Sequence, residues 1–240
     1  MKYLFLVFFT VSFYSCTFTN TSYDLKFFDY RFEGEGKMHF FHENEKWKFK
    51  NFLENSIDSG DFNEGIRYGD WFIKKKEGYQ IQNWSILKNS EFKLKTNIPS
   101  PIDSIKYSDI FVKVLLKKND YLSIITFVVN NPDRKERKIG LEEIFLESEK
   151  DFKEIKCSFS VKRMNEKKGL RSYYLDEYSI KDSLKNQFYY LHFYTRMNSG
   201  KLLEIMCKGK DENLDTKILS YKIIMNTFLE DERVYDPFQN

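Results

Sequence analysis

Residues able to do chemistry are few in this chain. There are three histidines. Two sit in M-H-F-F-H-E, as His39, His42 and Glu43. Histidines three apart share a helix face, but the aromatic stretch around them reads as strand, where they fall on opposite faces. Zinc-binding helices use other spacings, such as H-E-x-x-H. The reading is therefore ordinary surface or half-buried histidines. His192 lies within FYYLHFYTR and would share a strand face with Phe188, Tyr190 and Tyr194. A catalytic base needs a nucleophile or acid beside it, and the sequence shows none. G-x-S-x-G does not occur, and Gly34-Glu35-Gly36 is too short to cradle a phosphate. Glu142-Glu143 reads as a solvated helix face, not as two carboxylates held across a cleft. The expectation is a protein that is not an enzyme and carries no metal and no cofactor.

The most informative residue is Cys16, one of three cysteines. Lys2 precedes an apolar run from Tyr3 to Phe13, and Cys16 follows it closely. The run is too short to span a bilayer, which takes roughly 20 apolar residues. It has the size of a signal-peptide core. Phe13-Tyr14-Ser15-Cys16 resembles the cleavage box of bacterial lipoprotein signals, in which a small residue precedes the cysteine. Most such boxes carry Leu at −3 and a small residue at −2, and Phe13 and Tyr14 depart from that. Spirochaetal lipoproteins are known for boxes loosened in this way. The resemblance implies that residues 1–15 are removed and that the Cys16 thiol receives a diacylglycerol. The chain would then sit in the cell envelope, in the outer membrane, facing the periplasm or the surface. Its partners would be the membrane, through the lipid, and an envelope or host protein; the alternatives are an envelope hydrolase whose site is not visible in the sequence, and a structural envelope component.

Composition narrows the remaining classes. Without residues 1–15 the chain carries 38 basic and 36 acidic residues, which makes no case for nucleic acid. Alanine is absent, while the chain holds 24 Phe and 16 Tyr. An AT-rich genome explains that bias, so the aromatics read as core and strand residues and not as a stacking platform. With Cys16 lipidated, Cys157 and Cys207 remain, either as buried free thiols or as a disulfide. Two basic runs stand out, Lys74-Lys75-Lys76 and the Arg134, Lys135, Arg137, Lys138 cluster. The second falls in a strand-to-helix loop and is the candidate contact loop for anionic lipid or an acidic partner.

These features are positioned by a strand-rich chain. Residues 22–43 read as one or two strands, and 54–69 as a polar linker or long loop. Trp71–Lys75 and Tyr79–Leu87 read as strands. So do Asp109–Leu116 and Tyr121–Val129, joined by a hairpin turn. A helix is expected over 140–151, with Leu141, Ile144 and Phe145 on one face. Alternation over Glu154–Arg163 marks a strand with one wet face. Arg171–Tyr178 follows, then a hairpin of Gln187–Met197 and Lys201–Lys208. A closing helix is expected over about 213–229, and residues 231–240 read as a loose tail.

The expected class is α+β, a mostly antiparallel sheet flanked by two or three helices, with a mainly β fold as the alternative. The hairpin FYYLHFYTRMNSGKLLEIMCKG, the helix ending in IIMNTF, and the early strands around Trp71, Tyr79 and Trp84 together resemble the PsbP/Mog1-like superfamily over roughly 67–230. That resemblance implies a sandwich fold and a binding or assembly role, with no catalytic residues to carry over. The expected organisation is 1–15 signal peptide, 16–66 lipidated cysteine with tether and aromatic segment, 67–230 main domain, and 231–240 tail.

Overall fold

The computed structural model describes residues 19–28, 30–39, 42–53, 55–117, 122–130, 158–181, 187–209 and 214–235. Among these residues there are sixteen strands and one helix, so the fold is mainly β and not α+β with two or three flanking helices. The helix expected over 140–151 lies outside the described residues.

The first seven strands form a meander of consecutive hairpins. They are β1 (Thr19–Phe27), β2 (Tyr30–His39), β3 (His42–Asn51), β4 (Ser56–Asn63), β5 (Ile66–Lys75), β6 (Gly78–Asn89) and β7 (Leu94–Pro99). The segment read as a linker over 54–69 is in fact β4 and the start of β5. Its glycines and Asp/Asn residues lie in the strands or in a tight turn. Glu64 and Gly65 take positive φ there, which a two-residue hairpin turn requires. The sheet also runs unbroken through the expected boundary at 66–67.

The chain changes sheets at Ser100-Pro101. A second sheet of seven strands has the order β11-β12-β13-β14-β10-β9-β8. Its members are β8 (Ile102–Tyr107), β9 (Phe111–Leu116), β10 (Leu122–Asn130), β11 (Ser158–Lys168), β12 (Arg171–Lys181), β13 (Gln187–Arg196) and β14 (Leu202–Gly209). All pairings are antiparallel.

The helix α1 (Leu214–Met225) follows β14. Two short strands, β15 (Phe228–Leu229) and β16 (Glu232–Arg233), then return to the first sheet beside β7 and make it nine-stranded. Helix α1 touches both sheets. Its Tyr221 ring meets Phe27 and Tyr30 of the nine-stranded sheet, and its hydroxyl donates to Glu177 of β12 at 2.5 Å. Ile218, Leu219, Ile223 and Ile224 are all buried. The sequence suggested one apolar face, but a helix held between two layers needs apolar residues all round.

The tail expected over 231–240 is packed as far as it is described. Val234 and Tyr235 are fully buried. The Tyr235 hydroxyl donates to the Lys26 carbonyl at 2.9 Å and lies 3.0 Å from Glu166. Arg171 donates to the carbonyls of Arg233 and Val234, and pairs with Glu232.

Candidate functional site

Two kinds of polar assembly stand out, one inside the protein and one on its surface. The inner one joins the meander to the C-terminal elements. Asp58 on β4 is buried, with Lys222 Nζ of α1 at 2.5 Å and Arg67 of β5 at 3.5 Å. Burial alone would push the Asp58 carboxyl up, but the two cations outweigh it and hold it below its ordinary value. The Arg67 guanidinium lies 3.9 Å over the Trp71 ring and 4.8 Å over Phe49. On β3, Glu43 is buried against Arg233 of β16 and accepts from the Tyr23 hydroxyl at 3.0 Å. Burial opposes its charge, yet Arg233 and these hydrogen bonds keep its carboxyl low. These groups are closed off and mutually paired, so they serve cohesion between elements, not chemistry on a ligand.

The nine-stranded sheet has a repeated device that the sequence reading missed. Trp47 covers Gly36, and Trp71 covers Gly60, eleven residues later in each case. Trp47 Nε1 donates to the Lys37 carbonyl at 2.8 Å, and Trp71 Nε1 to the Asp61 carbonyl at 3.2 Å. Both hairpins carry a register shift beside the glycine. Glu45 and Gly69, also 24 residues apart, both have positive φ. The visible signal was a Gly-to-Trp spacing of eleven occurring twice at an offset of 24. The device seats each tryptophan flat on the inner face, which fixes what the outer face presents.

The outer face is the candidate contact surface. In-register pairing lines up Glu35, Lys48, Ser59, Phe72 and Ile81 across β2 to β6. The next row holds Glu33, Lys50, Ile57, Lys74 and Tyr79. The β1–β4 half is charged, with Lys48–Glu35 at 3.2 Å, Lys50–Glu33 at 3.8 Å and Arg31–Asp24 at 2.7 Å. The hydrogen bond from Arg31 holds the Asp24 carboxyl below its usual range. A shallow groove of about 490 Å³ runs there, lined by Asp24, Glu33, Glu35, Lys48, Lys50 and Ile57 among others. The β5–β6 half is apolar. Phe72 is 51% exposed, Ile81 59% and Tyr79 76%. Strand β5 turns Phe72 outward, and β6 turns Tyr79 and Ile81 outward while Gln82 is buried, its amide donating to the Asn83 carbonyl at 2.9 Å. That inverts the usual alternation of a one-sided sheet.

Several expected site residues lie outside the described residues. They are Cys16, Cys157, the Arg134, Lys135, Arg137, Lys138 loop, and Glu142-Glu143. Cys207 is a buried free thiol on β14. His39 and His42 stand opposite one another across the β2–β3 hairpin. His192 is fully buried, with Nε2 3.0 Å from Glu204 Oε2 and the Tyr194 ring 5.0 Å away. It sits among aromatics as its neighbours in sequence suggest, while Glu204 came from the next strand and was not foreseen. Lys74 lies on the outer face beside Tyr79, 5.8 Å from its ring.

No helix among the described residues is long and apolar enough to cross a membrane. No family model matches the chain, and no curated protein matches it. Among solved structures, it is similar to cyanobacterial PsbP (CyanoP) from Synechocystis sp. PCC 6803, at 13% identity and a TM-score of 0.39, over 61% of this chain and 92% of that one. It is also similar to the Saccharomyces cerevisiae Ran-binding protein Mog1p, at 10% identity and a TM-score of 0.44, over 65% of this chain and 100% of that one.

Proposed function

We propose that this chain is a lipid-anchored cell-envelope protein that acts by binding and not by catalysis. Its contact surface is the outer face of the nine-stranded sheet. The single observation that carries the contact surface is the patch of Phe72, Ile81 and Tyr79 on two adjacent rows, turned to solvent next to a charged groove. Exposing large apolar side chains in register is costly, at about 25 cal/mol per Å² left in water, and a contacting surface offsets that cost. The anchor is supported by the lipoprotein-like box at Cys16. A lipid there confines the domain to a surface and raises its effective concentration for whatever it meets.

The test has two arms. Cells fed labelled palmitate should label the wild-type protein and not Cys16→Ser. An unlabelled wild-type chain removes the anchor from the proposal. A photo-crosslinking amino acid in place of Phe72 should capture an envelope component in intact cells, and the same group in place of Leu170 should not. Leu170 is fully exposed in the β11–β12 turn of the other sheet. Equal capture at both positions, or none, removes the outer face as the contact surface.

A further inference from the structure

We infer that the apolar half of this outer face rests on the surface of an anionic lipid bilayer, with the β5–β6 hairpin end as its foot. The inference deepens the binding reading by naming what the face meets, and the part concerning reach rests on the lipid anchor.

The first argument is the kind of side chains exposed. Tyr79 stands on β6 just past the hairpin turn, and Ile81 and Phe72 stand in register behind it. Ile57 and Tyr68 extend the patch on β4 and β5. Lys74 lies opposite Tyr79, and Lys76 is exposed in the turn. Tyrosine and lysine each combine an apolar body with a polar tip, which suits the boundary between head groups and acyl chains. Only Glu77 opposes the three lysines of the K-K-K-E-G-Y turn. A basic turn of this kind is drawn to anionic head groups at about 1 kcal/mol per lysine near the surface.

The second argument is electrostatic. Three acids of the same face are already paired with cations within the sheet. Asp24 is paired with Arg31, Glu33 with Lys50 and Glu35 with Lys48, while Asp70 keeps its charge and accepts from Asn83 at 2.8 Å. The face can therefore approach negative charge without a row of bare carboxylates.

The third argument is reach. Strand β1 begins at Thr19. Only two residues separate it from Cys16, and three extended steps span about 11 Å. A lipid on Cys16 holds the β1 edge that close to the head groups, at the end of the sheet opposite the β5–β6 hairpin, so that tether and foot would hold the outer face at two diagonal corners. The inner face is packed against α1 and the second sheet, so the outer face is the one available to the bilayer.

The experiment uses the full chain with an environment-sensitive fluorescent amino acid in place of Tyr79, or of Leu170 as control. It is mixed with phosphatidylcholine vesicles with and without phosphatidylglycerol. The expected result is a blue shift and quenching by lipid-borne quenchers at position 79, on the anionic vesicles, and neither at 170. Lys74→Gln with Lys76→Gln should then lower the vesicle-bound fraction about tenfold or more. These lysines are exposed, so the pair should fold as wild type. A water-like spectrum at position 79 on vesicle-bound protein overturns the inference and leaves the face to a protein partner. An equal shift on neutral vesicles overturns the role given to the lysines. The palmitate experiment reports separately on the anchor. A chain without lipid that still shows the blue shift at 79 keeps this inference and loses the anchor.

Discussion

Lys222 of the helix places its ammonium 2.5 Å from the Asp58 carboxylate of β4, and both side chains are buried. The two residues come from opposite ends of the described chain. Their contact joins the N-terminal meander to the C-terminal helix, and Arg67 shares the same carboxylate at 3.5 Å. Two buried cations on one buried carboxylate require all three to be held in place. Apolar neighbours do this, with Trp71 and Phe49 against the guanidinium.

Removing one partner should therefore cost more than removing both. Lys222→Met leaves Asp58 with Arg67 alone at a longer distance, and about 3–5 kcal/mol of stability should be lost. Asp58→Asn alone strands both Lys222 and Arg67 and should cost at least as much; adding Lys222→Met should recover part of that loss, because Arg67 is then the one cation of the three groups left without the carboxylate. Urea midpoints of the two single variants and the double variant measure the coupling. Additive losses would show that the two groups do not interact.

Acid should unfold the protein through two carboxyls. Asp58 and Glu43 are both held below their ordinary values in the folded state. The unfolded chain therefore takes up their protons first, near pH 4 for ordinary carboxyls. Their contribution is fully present above about pH 5 and is lost as the pH falls through their folded values. Stability measured by urea from pH 7 to pH 3 should fall steeply below about pH 5. Glu43→Gln should be less stable at pH 7 and show a shallower fall. A wild-type profile that stays flat down to pH 3 would contradict the two low carboxyls.

The repeated tryptophan device makes an asymmetric prediction. Glu45 and Gly69 occupy matching positions, and both have φ near +60°, at 56° and 67°. An L side chain strains that backbone by roughly 1 kcal/mol, while glycine does not. Glu45→Gly should be neutral or stabilising despite losing the exposed Lys37 contact, which is worth little. Gly69→Ala should destabilise by about 1 kcal/mol although open space surrounds it. Thermal unfolding of both variants tests this. The same sign for both would show that the two hairpins are not built alike.

Strands whose apolar residues alternate or run together, such as β9, β10, β12, β13 and β14, were legible because burial is written into that pattern. Strand β4 and the first half of β5 were not, because Gly60, Asp58 and Arg67 are poor strand residues when read alone. Asp58 and Arg67 are tolerated because Lys222 and Trp71 meet them from elements distant in sequence. Gly60 is required because the Trp71 ring would lie 2.5 Å from a Cβ there. The tail was misread for a related reason. Asp231, Glu232 and Arg233 look like solvated residues until Arg171 and Glu43 are brought to them. The outer-face patch was hidden because Phe72 and Ile81 look like core residues, and only the register shows that Trp71 and Trp84 took the inner side.

Cys207 should stay reduced. Its thiol is fully buried, and burial pushes its pKa up to about 12 despite the hydrogen bond with Ser220. Register carries Cys207 through Leu191 and Glu177 to Lys162 on β11, three strands away. At about 4.8 Å per strand that is about 14 Å, against the 7 Å or so between Cα atoms that a disulfide allows. Ser158, the neighbour of Cys157, lies four residues further along β11. In native buffer Cys207 should resist a thiol reagent and should react fully once urea unfolds the chain, without any reductant. Peptide mapping under non-reducing conditions should find no Cys157–Cys207 link. A linked peptide would place β11 beside β14 and would break the strand order of the second sheet.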